Sequence, residues 1–197
     1  MAKKSSRNTK GKIVNAAWKL FYEQGYDDTT IEEIIDESGT SKGSFYHYFE
    51  GKDALLGSLS FLFDEKYEEL KEQLNPEDNA FDVLIFLNRE LFMMIENGID
   101  IDLLTRLFST QLVTRGEKHI MDNNRLYYRL LRKIVSDGQK KGELTDTITA
   151  NDIVRLYAMC ERGMMYDWCL MKGNYSLTAF AEKNLPMMLG CIRKNQL

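Results

Sequence analysis

Apolar residues in this chain recur three and four positions apart, with no sustained two-residue alternation, and that spacing confines it to an all-α fold. Ile13, Ala17, Leu20 and Phe21 form the first helical stripe, and Gly25 stands where a helix C-terminus calls for left-handed backbone. Thr30 and Glu33 make a capping box ahead of Ile31, Ile34 and Ile35, and Gly39 closes that second helix. Ser41 suits the N-cap of a short third helix. A fourth is expected to run unbroken from about Gly51 through Leu55, Leu59, Leu62 and Phe63 to about Leu74, where Asn75-Pro76 stops it. Further helices are expected over about 81–97, 100–114, 117–141 and 149–172, with Thr149 and Asp152 capping the last of these. Ser176 opens a final helix in which Pro186 imposes a kink or restart. The expected layout is about nine helices: three short ones, a long connector, then a larger bundle.

Composition removes other classes. A chain of 197 residues can bury a core without staples, and its 3 cysteines, Cys160, Cys169 and Cys191, are too scattered for a disulfide framework. They also lack the Cys-x-x-Cys or Cys–His spacing of a zinc site, so no metal is expected and a reducing cytoplasm fits. The longest apolar run, Leu91 to Ile95, is far below the ~18 residues that span a bilayer. No apolar stretch follows the N-terminal lysines, so no signal peptide is expected. With two histidines, no phosphate loop and no nucleophile motif, neither an enzyme nor a cofactor is expected. Charge is unevenly spread: Lys3, Lys4, Arg7, Lys10, Lys12 and Lys19 precede the first acid. Setting those six aside leaves 20 of the 26 basic residues against 30 acidic ones, a net of −10. A basic end on an acidic body points to a polyanion contacted at that end.

The most informative stretch is Ser38-Gly39-Thr40-Ser41, a tight turn leading into Lys42-Gly43-Ser44-Phe45-Tyr46-His47-Tyr48-Phe49. A glycine-containing turn between two short helices is the helix-turn-helix pattern. Phe45 and Phe49 lie one turn apart and define the buried face. Gly43, Tyr46 and His47 fall opposite, with Ser44 beside them and Lys42 and Tyr48 at the boundary. Lysine neutralises a phosphate, glycine permits close approach to a groove, and hydroxyl, imidazole and phenol groups reach phosphate oxygens or base edges.

From Ile13 to Leu56 the chain resembles the DNA-binding region of the tetracycline-repressor (TetR) family of bacterial transcription regulators. The shared residues are Ala16-Ala17, Leu20-Phe21, Gly25-Tyr26, Thr29-Thr30-Ile31, Ile34, the run Gly39 to Tyr46, Phe49, Lys52 and Leu55-Leu56. Thr40 departs from the small aliphatic residue the family favours, but keeps the β-branched shape. The resemblance implies that Ser41, Lys42, Gly43 and Ser44 enter the major groove, with Tyr46, His47 and Tyr48 contacting phosphates or base edges beyond them. It implies phosphate contacts for Lys52, at the start of the fourth helix, and for Thr30. It divides the chain into an arm and DNA-binding domain over 1–52 and a connector plus ligand-binding and dimerisation domain over 53–197.

The same resemblance implies a cytoplasmic, homodimeric repressor of a palindromic double-stranded operator, released by a small hydrophobic ligand, with no membrane partner. Two alternatives stand beside it: a helical scaffold with a purely structural helix-turn-helix, and a family regulator answering to a protein partner. In the second half, Tyr157, Cys160, Met164, Trp168 and Met171 recur at helical spacing, as do Leu185, Met188, Leu189 and Ile192. Such stripes suit a core, a dimer seam or an adaptable pocket. Candidate ligand contacts are Phe92, Phe108, Tyr127, Met164 and Trp168; Arg106 and His119 could add polarity, but a solvated position is the expectation for both.

Overall fold

The computed structural model describes residues 2–113 and 119–194, with side chains for all of these except 2–8 and 119. Lys3, Lys4, Arg7 and the His119 side chain, named above, therefore lie outside the described side chains. Among the described residues every element is helical, apart from an isolated bridge pairing Leu144 with Arg193. The chain forms two compact units, Met1–Ser60 with Arg106–Ile120, and Phe61–Thr105 with Met121–Leu197. A later segment, from Arg106, thus groups with the first unit.

The first unit holds α1 (Ala2–Gln24), α2 (Ile31–Ser38), α3 (Lys42–Tyr48) and α4 (Lys52–Leu56). Its core is made by Ile13, Ala17, Phe21, Ile34, Phe45, Leu55 and Leu56, each no more than 2% exposed. The expected caps form. Thr30 and Glu33 bond reciprocally at the start of α2, and Ser41 Oγ accepts from the Ser44 N–H at 3.1 Å. At the end of α2 the Thr40 N–H reaches the Ile35 carbonyl at 3.2 Å. That closure needs left-handed backbone, supplied by Gly39 at φ 60°. Thr40 fits the turn, where its hydroxyl meets that of Ser38 at 2.8 Å.

One expectation fails here. The fourth helix is not continuous: α4 ends at Leu56, and α5 (Leu59–Lys71) starts again after a turn at Gly57 and Ser58. The cause is local. The Ser58 hydroxyl donates to the Leu55 carbonyl and accepts from Trp18 Nε1 at 2.8 Å, drawing the backbone out of the helical ladder beside a glycine of low helix propensity. A rigid connector from Gly51 to Leu74 is therefore absent.

The second unit is built from most of α5, then α6 (Ala80–Gly98), α8 (Leu126–Lys141), α9 (Ala150–Leu170) and α10 (Leu177–Met188). Between α6 and α8 lies α7 (Ile101–Val113), whose first residues belong to this unit and whose remainder, from Arg106, belongs to the other. α8 begins later than the expected 117, because a short 3-10 turn at His119–Met121 and an Asp122-Asn123-Asn124 turn precede it. α6 and α8 pack so closely that a side chain at Gly138 would overlap Ala80. α10 carries Pro186 inside its last turn and ends two residues later.

Candidate nucleic-acid interface

The outward face of α3 is the one the pattern required. Phe45 is fully buried and Phe49 6% exposed, whereas Ser41, Lys42, Gly43, Tyr46 and His47 are exposed and Ser44 and Tyr48 half-buried. The His47 and Tyr48 rings meet edge to face at 4.7 Å. The first turn of α3 carries no acid, so nothing within it repels a phosphate. Lys42 lies 3.4 Å from Glu32 on α2, an exposed pair that costs little to exchange for another anion. A Cβ at Gly43 would meet nothing nearer than Ser41 Oγ at 3.9 Å, so the protein itself does not demand glycine there.

Two of the residues named from the resemblance are otherwise engaged. Lys52 Nζ donates to the carbonyls of Tyr26, Asp27 and Thr29 at 2.6, 3.2 and 2.7 Å, and sits 4.4 Å from the centre of the Tyr26 ring. Its ammonium closes the turn between α1 and α2. Thr30 Oγ1 accepts from the Glu33 N–H at 3.2 Å and donates to the Glu33 carboxylate at 2.8 Å, so it caps α2 with an anion at its side. The bonds from the Thr30 backbone and hydroxyl hold the Glu33 carboxyl below its ordinary pKa. Arg106, expected to be solvated, is part-exposed, pairs with Asp27 and stacks over Tyr26 at 4.9 Å, while Tyr26 donates to Asp53.

The second unit sorts its residues differently from the sequence expectation. Phe92, Tyr127, Met164 and Trp168 are all buried there, but Phe108 is half-buried and belongs to the first unit. The Trp168 indole donates to the Tyr175 carbonyl at 2.8 Å, closing the loop before α10. A cleft of about 540 Å³ opens over Leu74, Pro76, Val83, Leu130 and Ile134, and none of the five candidate ligand contacts lines it. Of the two apolar stripes, Tyr157, Cys160, Leu185, Leu189 and Ile192 face the core. A second stripe, which the sequence pattern did not disclose, faces out: Met159, Tyr166 and Leu170 on α9 are 57%, 47% and 63% exposed, and Phe180 and Met187 on α10 are 38% and 70% exposed.

Sequence reasoning also passes over Glu161, an acid at a core position of α9 and only 2% exposed. Asn88 Nδ2 and the Tyr67 and Tyr127 hydroxyls donate to its carboxylate at 3.0, 3.5 and 2.6 Å. Burial pushes its pKa up, against the lowering effect of those donors. The available signal is its spacing: residue 161 falls on the stripe of Tyr157, Met164 and Trp168. Among the described residues no group of three or more His, Cys, Asp or Glu side chains could hold a metal, and no helix is long and apolar enough to cross a membrane.

Two capped short helices around a glycine turn, with a polar face turned outward, make the first unit a helix-turn-helix DNA-binding head. Residues 13–59 match the model of bacterial regulatory proteins of the tetR family, and residues 62–191 match that of the YsiA-like protein C-terminal region. The chain belongs to the tetR family, and it is a DNA-binding transcriptional regulator. It is 30% identical over 142 residues to the regulator QacR of Staphylococcus aureus, covering 69% of this chain and 73% of that one. It is 29% identical over 150 residues to the uncharacterized regulator YvdT of Bacillus subtilis, covering 74% and 76%. In fold it resembles Thermus thermophilus FadR, a repressor solved with lauroyl-CoA, with a TM-score of 0.71 at 24% identity over 95% of this chain and 97% of that one.

Proposed function

We propose that the protein is a homodimeric repressor that holds a palindromic operator and releases it when a small hydrophobic molecule enters the second unit. The observation that carries the DNA half is the α3 surface, where Lys42, Gly43, Ser44, Tyr46 and His47 stand outward over a buried Phe45. In this reading Ser41 to Ser44 meet the groove and Tyr46, His47 and Tyr48 meet phosphates or base edges. Lys52 and Thr30 act one step back, by fixing the turns that aim α3.

The outward stripe of Met159, Tyr166, Leu170, Phe180 and Met187 supports the dimer. Large apolar side chains left exposed on two helices that pack together are costly in water and suit a two-fold contact. Two heads then read half-sites about one helical turn, ~34 Å, apart or a multiple of that. The cleft supports ligand response, its volume lying within the ~300–1,000 Å³ of small-molecule sites. The test is binding of the full chain to the DNA upstream of its own coding region, measured by fluorescence anisotropy across salt. One palindromic sequence should bind with steep salt dependence, and equal affinity for all sequences would overturn the proposal.

A further inference from the structure

Glu161 is the buried group that the regulator reading leaves unexplained. It accepts three hydrogen bonds, yet no ion pair among the described residues includes it. Of the nearby cations, Arg125 pairs with Asp64 at 3.0 Å, while Arg162 donates to the Tyr128 hydroxyl at 3.2 Å and lowers the Glu161 pKa from a distance, without overcoming the effect of burial. A carboxylate taken out of water without a cation in contact is costly, and polar donors and a more distant charge offset only part of that cost. Its surroundings are aromatic as well as polar. The Tyr67 and Tyr127 rings lie 5.1 Å apart and the Tyr128 ring 4.7 Å from that of Tyr127, while the buried Tyr157 donates to the Leu84 carbonyl at 2.9 Å. An anion among phenol rings is a cation receptor in its chemistry, since ring faces and carboxylate both favour positive charge.

The helices that hold this cluster also form the cleft. On α5, Tyr67 is followed at helical spacing by Lys71 and then, just past its end, Leu74. On α8, Tyr127 is followed by Leu130 and Ile134, and on α6, Asn88 is preceded by Leu84 and Ala80. Lys71, Leu74, Ala80, Leu130 and Ile134 line the cleft, so its wall begins about one turn, ~6 Å, along the same faces from the cluster. Four lysines and four acids line it, which leaves no net charge there to decide between ligands. We infer that Glu161 is the counter-ion of a hydrophobic cation whose apolar body lies in this cleft and whose head reaches the Tyr67–Tyr127 cluster. Leu70, Leu84 and Leu131, fully buried at the intervening turns, change rotamer to admit it. The inference rests on the ligand-responsive reading above and assigns its ligand class.

Three ligands with one decyl chain test it on the full-length protein by titration calorimetry: decyltrimethylammonium, decan-1-ol and decanoate. The cation should bind roughly tenfold or more tighter than the alcohol, and the anion weakest. In Glu161→Gln the cation-to-alcohol ratio should collapse toward one. A second measurement compares the pH profiles of the natural protein and Glu161→Gln. Protonating Glu161 removes its charge, so cation affinity should fall with pH in the acid range while alcohol affinity stays flat. Burial keeps the Tyr67, Tyr127 and Tyr157 phenols neutral there, but Glu77, Asp78, Asp137 and Glu143 line the cleft and Asp64, Arg125 and Arg162 lie near the cluster, so only the part of the fall that disappears in Glu161→Gln belongs to Glu161. An alcohol or anion that binds as tightly as the cation, or a preference that survives in Glu161→Gln, overturns the inference. Operator release is read separately: if no decyl ligand releases DNA, the ligand-responsive reading suffers, while the order of the three affinities still decides the role of Glu161.

Discussion

Two helices of this protein, α3 and α9, show how far an apolar pattern carries. α3 has one apolar face, Phe45 with Phe49 just beyond it, so burying it leaves a single outward surface, the polar one. α9 is apolar on both sides. Tyr157, Met164 and Trp168 face the core, while Met159, Tyr166 and Leu170 face out. A helix with one apolar stripe assigns its own orientation. A helix with two assigns nothing until its neighbours are placed, and the stripe left over is then the informative one.

Charging the outward stripe of α9 and α10 should have the largest effect. Leu170→Lys with Met187→Lys should yield a folded monomer by sedimentation and weaken operator binding ~10²–10⁴-fold, as the two heads lose their mutual effective concentration. A dimer that survives both charges would move the seam elsewhere. On α3 the equivalent change is Gly43→Leu. A Cβ there meets nothing nearer than 3.9 Å on an exposed face, so melting should hold or rise slightly while operator affinity drops by ~1–3 kcal/mol per half-site. Unchanged affinity, measured by anisotropy, would remove α3 from the groove.

The core side of α9 responds to pH. Burial raises the Glu161 pKa in the folded state, so its ionised form destabilises the fold at neutral pH and that penalty fades as pH falls toward the ordinary carboxyl range. Without ligand, Glu161→Gln should melt a few degrees higher than the natural protein at neutral pH, with the gap closing in acid. A gap that widens in acid would contradict the sign. Ser41→Ala removes the cap of α3 and should cost about 1 kcal/mol in chemical denaturation. Lys42→Ala should be nearly silent in stability, since its exposed pair with Glu32 is worth less than about 1 kcal/mol. It should still flatten the salt dependence of DNA binding by about one unit of slope for each phosphate left without its lysine.

What the sequence determined by itself was local. The capping box at Thr30, the Ser41 cap and the left-handed turn at Gly39 depend on residues within five positions of one another, so short-range chemistry decides them. The outward face of α3 followed from two phenylalanines one turn apart. Tertiary structure decided the rest because the deciding partners are distant in sequence. Trp18 fixes the break at Ser58 from 40 residues away, and the carbonyls of Tyr26 and Thr29 claim Lys52 from 26 and 23 away. The second unit is the extreme case. Glu161 takes its environment from Tyr67, Asn88 and Tyr127, on three other helices, so the charged residue with the most unusual surroundings there carries only a faint sign in the chain itself.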